Sequence, residues 1–186
     1  MPRYVIVFLL PDVLNDFLNP IREYFEKGVS LKIPPHISLT FPFYINSLSE
    51  EELFQKIMVI GKKNNPLAIG LNGIKTFQRE NGRKVIYASL AKEEGVKKLN
   101  SELMGVLKEH ITIDLSVFPG NMSPSFVPHA TLVLNGTDKD QKYVEERFAN
   151  FSPRNFLADK FFILVSHNPQ KTWKAERMVL MGKLGI

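Results

Sequence analysis

Cysteine is absent from the 186 residues, which excludes disulfides, thiolate nucleophiles and zinc–sulfur sites. Long apolar runs are missing too, and none reaches the roughly 18 residues that would span a bilayer. The opening MPRYVIVFLLPDVL pairs a basic residue with an apolar stretch, but it has no small-residue cleavage site, and Asp12 and Asn15 follow at once. VIVFLL therefore reads as a buried first strand rather than an export signal, and the expected compartment is the cytoplasm. No low-complexity linker and no tandem repeat by identity divides the chain. One domain over residues 1–186, with two small lobes sharing a core, is expected. Acidic residues are the scarcer charge: 19 against 24 basic ones give a net +5 and a pI near 9.3. That balance suits a polyanionic partner such as RNA, although a mildly basic surface with no particular partner has the same composition.

What is present alternates between strand and helix. Residues 3–10 predict an apolar strand. A helix then starts at Pro11-Asp12, with Leu14, Phe17, Leu18, Ile21, Tyr24 and Phe25 spaced for one buried face. Pro20 would kink or divide it, and Gly28 would close it. Ser49 followed by Glu50, Glu51 and Glu52 marks the start of a second helix, and Lys62-Lys63-Asn64 its end. LAIGLNGIKTF and KVIYASLA, joined through Asn81-Gly82, predict an antiparallel hairpin with a tight turn. A third helix carries Val96, Leu99, Leu103, Val106 and Leu107 on one side. After it come a proline-rich loop (SVFPGNMSPSFVP), the strand HATLVL, a helix at Asp138–Phe148, and two extended segments, FLADKFFILVSH and TWKAERMVLMGKL. Each half holds a proline-led histidine strand, a helix and a strand pair, which implies an α+β fold of two similar lobes.

The two histidine strands are the informative feature. In PPHISLTF, strand periodicity places His36, Ser38 and Thr40 on one face and Ile37, Leu39 and Phe41 on the other. In VPHATLVL, His129 and Thr131 share a face while Ala130, Leu132 and Leu134 point oppositely. In-line cleavage of a phosphodiester needs one group to take a proton from the attacking oxygen and another to give one to the departing oxygen. Imidazoles with pKa values of about 6.5 can do both near neutral pH. A hydroxyl beside each can donate to a nonbridging phosphate oxygen. A single His-x-Ser or His-x-Thr triplet is common at strand ends; two of them, both led by proline and far apart, are not.

The pattern of two His-x-(Thr/Ser) strands separated by half the chain resembles the 2H phosphoesterase superfamily, which includes LigT-like 2′-5′ RNA ligases and cyclic phosphodiesterases. Ser38 stands where many members carry threonine, and either hydroxyl can donate. The resemblance implies two pseudo-symmetric lobes of antiparallel sheet, helices packed outside, and a central cleft. In that cleft His36 and Ser38 would face His129 and Thr131 around one phosphate. It also makes the closing SHNPQKTWKAERMVL similar to the family's last strand pair, so that Trp173 becomes a candidate cleft wall.

On these grounds the expected activity is hydrolysis of a 2′,3′-cyclic phosphate or a 2′-5′ linkage in RNA or nucleotides, without a cofactor or metal. His129 would activate water and His36 would protonate the leaving oxygen. An RNA 2′-5′ ligase would use the same four residues, and a non-catalytic RNA-binding module is the alternative from another class. Phe43, Tyr44, Phe126 and Trp173 are candidates for stacking on a base, with core packing as the competing role. Lys75, Arg79 and Arg83 flank the hairpin and could meet phosphates or simply be solvated. His110 is expected at a helix end and His167 in a turn, both structural. No His-x-x-x-His or His-Glu pair supports a metal site, no Gly-x-Ser-x-Gly elbow supports a serine nucleophile, and no Walker loop supports direct ATP use.

Overall fold

The computed structural model describes residues 1–79, 81–114, 125–152, 155–168 and 172–182, with the backbone alone at Ser30 and Leu31. The first apolar run becomes β1 (Arg3–Leu9), the central strand of the first sheet, and it is buried on both faces. β9 (Lys160–Ser166) lies along one edge of β1, with β10 (Lys174–Leu180) outside it. On the other edge β2 (His36–Ser38) and β3 (Phe43–Ile45) pair with opposite ends of β1, and β6 (Ile111–Ile113) pairs with β3. The second sheet runs β7-β5-β4-β8, made of β7 (His129–Gly136), β5 (Lys84–Leu90), β4 (Leu67–Gln78) and β8 (Asn155–Ala158). Every pairing is antiparallel. The segment read as one long strand, FLADKFFILVSH, divides at Asp159 and serves both sheets, β8 in the second and β9 in the first.

Helices α1 (Asp12–Phe25), α3 (Glu50–Lys63), α4 (Glu94–Leu107) and α5 (Asp138–Ala149) send their apolar stripes into one core that both sheets share. A single turn, α2 (Val29–Lys32), follows α1. That core takes Tyr4, Ile6 and Phe8 from β1, with Ile86, Ala88, Ala130 and Leu132 from the second sheet. The alternate residues Val5 and Val7 join Leu164 in a separate cluster on the opposite face of the first sheet, flanked by Leu9, Ile33, Phe162 and Trp173. Period-two alternation thus gives each sheet one helix-covered face and one face free for a cleft. α3 starts with the expected capping box between Ser49 and Glu52, and α5 with an equivalent one between Thr137 and Asp140. Gly61 lets α3 lie close against β10, since a Cβ there would meet Val179 Cγ1 at 2.5 Å and the Leu180 carbonyl at 2.8 Å. Among the described residues no helix is long and apolar enough to cross a membrane.

Three local expectations need correction. In α1, which runs undivided through Pro20, Tyr24 leaves the buried stripe: it is 65% exposed and stacks on Tyr143 of α5 at 4.6 Å. The hairpin closes through Arg79 N–H to the Arg83 carbonyl at 2.8 Å, with Gly82 at φ 74, so the connection is longer than a two-residue turn. Thr40 does not continue the histidine face. The strand breaks after Ser38, where Leu39 and Thr40 N–H both reach the Ile6 carbonyl, at 2.7 and 3.3 Å, and Thr40 Oγ1 accepts from Ile6 N–H at 3.1 Å. Pro42 has no N–H to extend a ladder, and the buried Thr40 hydroxyl serves as the acceptor for the Ile6 N–H of β1. The loop expected at SVFPGNMSPSFVP lies largely outside the described residues. Thr40→Val should cost about 1–3 kcal/mol of stability by urea unfolding, because it strands a buried backbone donor; an unchanged midpoint would show that the donor finds another partner.

Candidate active site

Both histidine strands are built by the same construction. A strand leads into a helix, and the chain later returns as an antiparallel neighbour of that strand: β1–α1–α2–β2 in one half, and β5–α4–β6–β7 in the other, where β6 first joins the opposite sheet. The registers correspond. Leu9 lies opposite His36 and Val7 opposite Ser38; Ser89 lies opposite His129 and Tyr87 opposite Thr131. Alternation turns Ile37, and likewise Ala130 and Leu132, into the shared core. His36, Ser38, His129 and Thr131 are left half-buried on the other faces. β2 and β7 lie against each other, which brings the two motifs together although nearly half the chain separates them.

The leading proline has a chemical consequence. A residue before proline is confined to extended backbone, which fixes the direction of its carbonyl. His36 Nδ1 bonds to the Pro34 carbonyl at 2.8 Å, and His129 Nδ1 to the Val127 carbonyl at 2.6 Å. In each case the acceptor belongs to the residue before the intervening, buried Pro35 or Pro128. A carbonyl can only accept, so Nδ1 carries the proton and Nε2 of the neutral ring keeps its lone pair. Burial lowers both imidazole pKa values. For His36 the value falls to about 4, through burial first and then the charges of Arg22 and His129, against the raising effect of its backbone bond. For His129 burial lowers the value against the raising effect of its bond to Val127. The coupling between the rings is itself a sign of their proximity.

The surroundings of the two rings differ. His129 lies edge-on to Phe77 at 5.1 Å and tilted to Tyr87 at 4.9 Å, and those two rings stack at 4.3 Å. Lys75, opposite Tyr87 in register, is exposed beside them. His36 instead neighbours the aliphatic Leu9 and Val7. Phe77 and Tyr87 were not singled out in the sequence because they read there as ordinary alternating strand residues; only the pairing of β4, β5 and β7 places them at the histidine.

The four aromatic candidates separate. Phe43 is fully buried and stacks on Tyr4 at 5.8 Å, so it offers no face to a base. Phe126 is half-buried against the main core. Tyr44 directs its hydroxyl to Asp114 at 3.4 Å, and Asp114 also takes Arg3 in a buried ion pair at 2.9 Å. Trp173 packs on the cluster that contains Leu9 and Ile33, under the Arg3 guanidinium at 4.9 Å. Tyr44 and Trp173 therefore belong to one polar–aromatic group around Arg3 and Asp114, whereas Phe43 lies in the core and Phe126 packs half-buried against it. His110 bonds to Ser47 at 2.9 Å and His167 is exposed after β9, both away from the motifs. Arg79 is half-buried with an unbonded Nε, and Arg83 is exposed. Among the described residues no group of three or more His, Cys, Asp or Glu side chains could hold a metal ion.

Comparison with known proteins gives concordant results. A family model described as the 2′-5′ RNA ligase superfamily matches residues 10–170. A Bacillus anthracis protein named "Putative phosphoesterase" is 27% identical over 180 residues, covering 96% of each chain. A Geobacillus thermodenitrificans protein of the same name is 27% identical over 130 residues, 70% of this chain and 68% of that one. Among solved structures, TT0787 of Thermus thermophilus superposes with a TM-score of 0.62 at 18% identity, over 98% of this chain and 100% of that one. Escherichia coli LigT complexed with 3′-AMP gives 0.58 at 13% identity, over 97% and 99%. The fold is LigT-like, α+β, with two antiparallel sheets.

The lowered His36 pKa has a consequence for stability. Above pH 6.5 the ring is neutral whether the chain is folded or not; between 6.5 and about 4 only the unfolded chain takes up the proton. Stability should therefore fall as pH drops through that window, by up to on the order of 3 kcal/mol from this group. Chemical denaturation at pH 7.5 and pH 4.5 should show a smaller loss for His36→Gln than for the unaltered chain; equal losses would mean that His36 titrates normally.

Proposed function

Because the chain belongs to the 2′-5′ RNA ligase superfamily, we propose that it is a phosphoesterase that opens cyclic phosphodiesters, with 2′,3′-cyclic phosphate ends of RNA or nucleotides as the favoured substrate and 2′-5′ linkages as the related one. The observation that carries this is the matched pair of proline-led histidines, each held through Nδ1 by the carbonyl two residues earlier and each with Nε2 unspent. Ser38 and Thr131 donate to nonbridging phosphate oxygens, where charge builds in the transition state. Two imidazoles supply both proton transfers, so the chemistry asks for no metal.

The electrostatics favour one assignment of roles, the reverse of the sequence-based expectation. Arg22 disfavours a proton on His36 in addition to burial, while the repulsion between the two rings acts on both equally. His36 is therefore the base that takes the proton from the attacking water, and His129 the acid that gives one to the leaving oxygen. Ligation puts a 5′-hydroxyl in place of water as the nucleophile that opens the cyclic phosphate and keeps these roles, whereas cleavage of a 2′-5′ linkage back to the cyclic phosphate exchanges them. An anionic phosphate between the rings raises both pKa values, so kcat should peak at higher pH than kcat/KM.

Three measurements check this. His36→Ala and His129→Ala should each lower turnover of a 2′,3′-cyclic nucleotide by about 10²–10⁴-fold, with substrate affinity largely retained and EDTA without effect on the unaltered chain. The kcat/KM profile should fall on the alkaline side as His129 loses its proton below the usual 6.5, and on the acid side as His36 gains one near 4. If the unaltered chain binds RNA yet cleaves neither cyclic phosphates, 2′-5′ bonds nor linear diesters, it is a binding module and the proposal fails.

A further inference from the structure

The two histidine motifs are near-copies, so the difference between an acid and a base must come from outside them. Besides the strand neighbours, one difference lies in the helices upstream of them. The buried residues of α4, which leads to His129, are Val96, Leu99, Leu103 and Leu107, all aliphatic. Those of α1, which leads to His36, are Leu14, Leu18, Ile21 and Arg22. Arg22 is 5% exposed, and none of the ion pairs among the described residues includes it. Its Nη2 donates to the Ile33 carbonyl at 2.8 Å and its Nη1 to Asn19 Oδ1 at 3.2 Å. A guanidinium buried on a backbone carbonyl and an amide is an expensive arrangement, and burial lowers its own pKa despite Glu23 and Glu26 on the same helix.

The carbonyl it grips is well chosen. Ile33, Pro34 and Pro35 form the lead-in to β2, and each of their carbonyls is engaged: Ile33 by Arg22, Pro34 by His36 Nδ1 at 2.8 Å, and Pro35 by Leu10 N–H at 3.1 Å. Arg22 thus fixes the peptide next to the one that orients the imidazole. Resting on the two-histidine reading above, we propose that Arg22 is the positioning residue that makes His36 the base of the pair, by holding the Ile33–Pro35 segment and by placing a permanent cation within electrostatic reach of the ring. The charged groups acting on His36 are Arg22 from α1 and His129 from β7, while β1 places Val7 and Leu9 on that side. Both charges act in the direction that burial already sets.

The test is an NMR titration of the full chain with labelled imidazole nitrogens, combined with kinetics on a 2′,3′-cyclic nucleotide. In the unaltered chain His36 should be Nδ1-protonated when neutral and should titrate well below His129. Arg22→Gln keeps a donor for the Ile33 carbonyl but removes the charge. It should raise the His36 midpoint by about one pH unit or more, leave that of His129 nearly in place, and move the acid limb of kcat/KM upward by the same amount. Arg22→Lys keeps the charge and loses the planar fork, so the His36 midpoint should stay low while kcat falls. A His36 midpoint at or above that of His129 in the unaltered chain overturns the proposal, and it needs no variant to fold. So does an unmoved midpoint in folded Arg22→Gln. If the chain turns over no phosphodiester, the titrations still decide the role of Arg22, and the two-histidine reading alone falls.

Discussion

The hydrogen bond from each imidazole Nδ1 to the carbonyl two residues earlier is the constraint on which the site depends. Without it a histidine at a strand start can rotate, exchange tautomers and present either nitrogen. With it the ring is fixed and Nε2 keeps its lone pair, so the chemistry becomes directional. The bond is made possible by proline: Pro35 and Pro128 confine the preceding residue to extended backbone, which aims its carbonyl at the ring. That the same three-residue device occurs twice, in strands paired the same way to the strand before a helix, means that one structural solution was used for both histidines.

Symmetry of construction does not give symmetry of environment. Where the first half sets Val7 and Leu9 beside its histidine motif, the second sets Tyr87 and Ser89, with Phe77 stacked on Tyr87 from the next strand. The first half in turn has a buried arginine in the helix that leads to its motif, where the second has only aliphatic residues. The surroundings of His36 are therefore aliphatic with a buried cation in the preceding helix, and those of His129 are aromatic. Such a difference lets one imidazole hold a proton at a pH where the other does not.

The polar group formed by Arg3, Asp114, Tyr44 and Trp173 shows how far the cleft face of the first sheet extends. Arg3 and Asp114 are both buried, and their pairing neutralises what would otherwise be two stranded charges. The indole under the guanidinium joins the polar end of that face to the aliphatic cluster of Val5, Val7 and Leu164. A strand read in sequence as merely apolar, β1, thus supplies both the centre of the main core and the floor of the cleft, from alternate residues.

Much of this was legible in the chain itself, because local rules with short reach set it. Period-two alternation predicted which side of β2 and β7 carries His36, Ser38, His129 and Thr131, and the capping boxes and apolar stripes predicted α3 and α4. The same rules misplaced Thr40, since alternation cannot foresee that a strand will break to satisfy a backbone donor on its neighbour. They could not separate Phe43 and Phe126, which pack in or against the main core, from Tyr44 and Trp173, which do not. Nor could they find Arg22, Phe77 or Tyr87, whose roles come from strands and helices meeting across long sequence separations. The sequence by itself determined that each histidine shares a strand face with a hydroxyl two residues on, because alternation acts between immediate neighbours. Only the tertiary structure decided which ring is the weaker base, because desolvation and the field of a buried cation depend on what the whole fold packs around it.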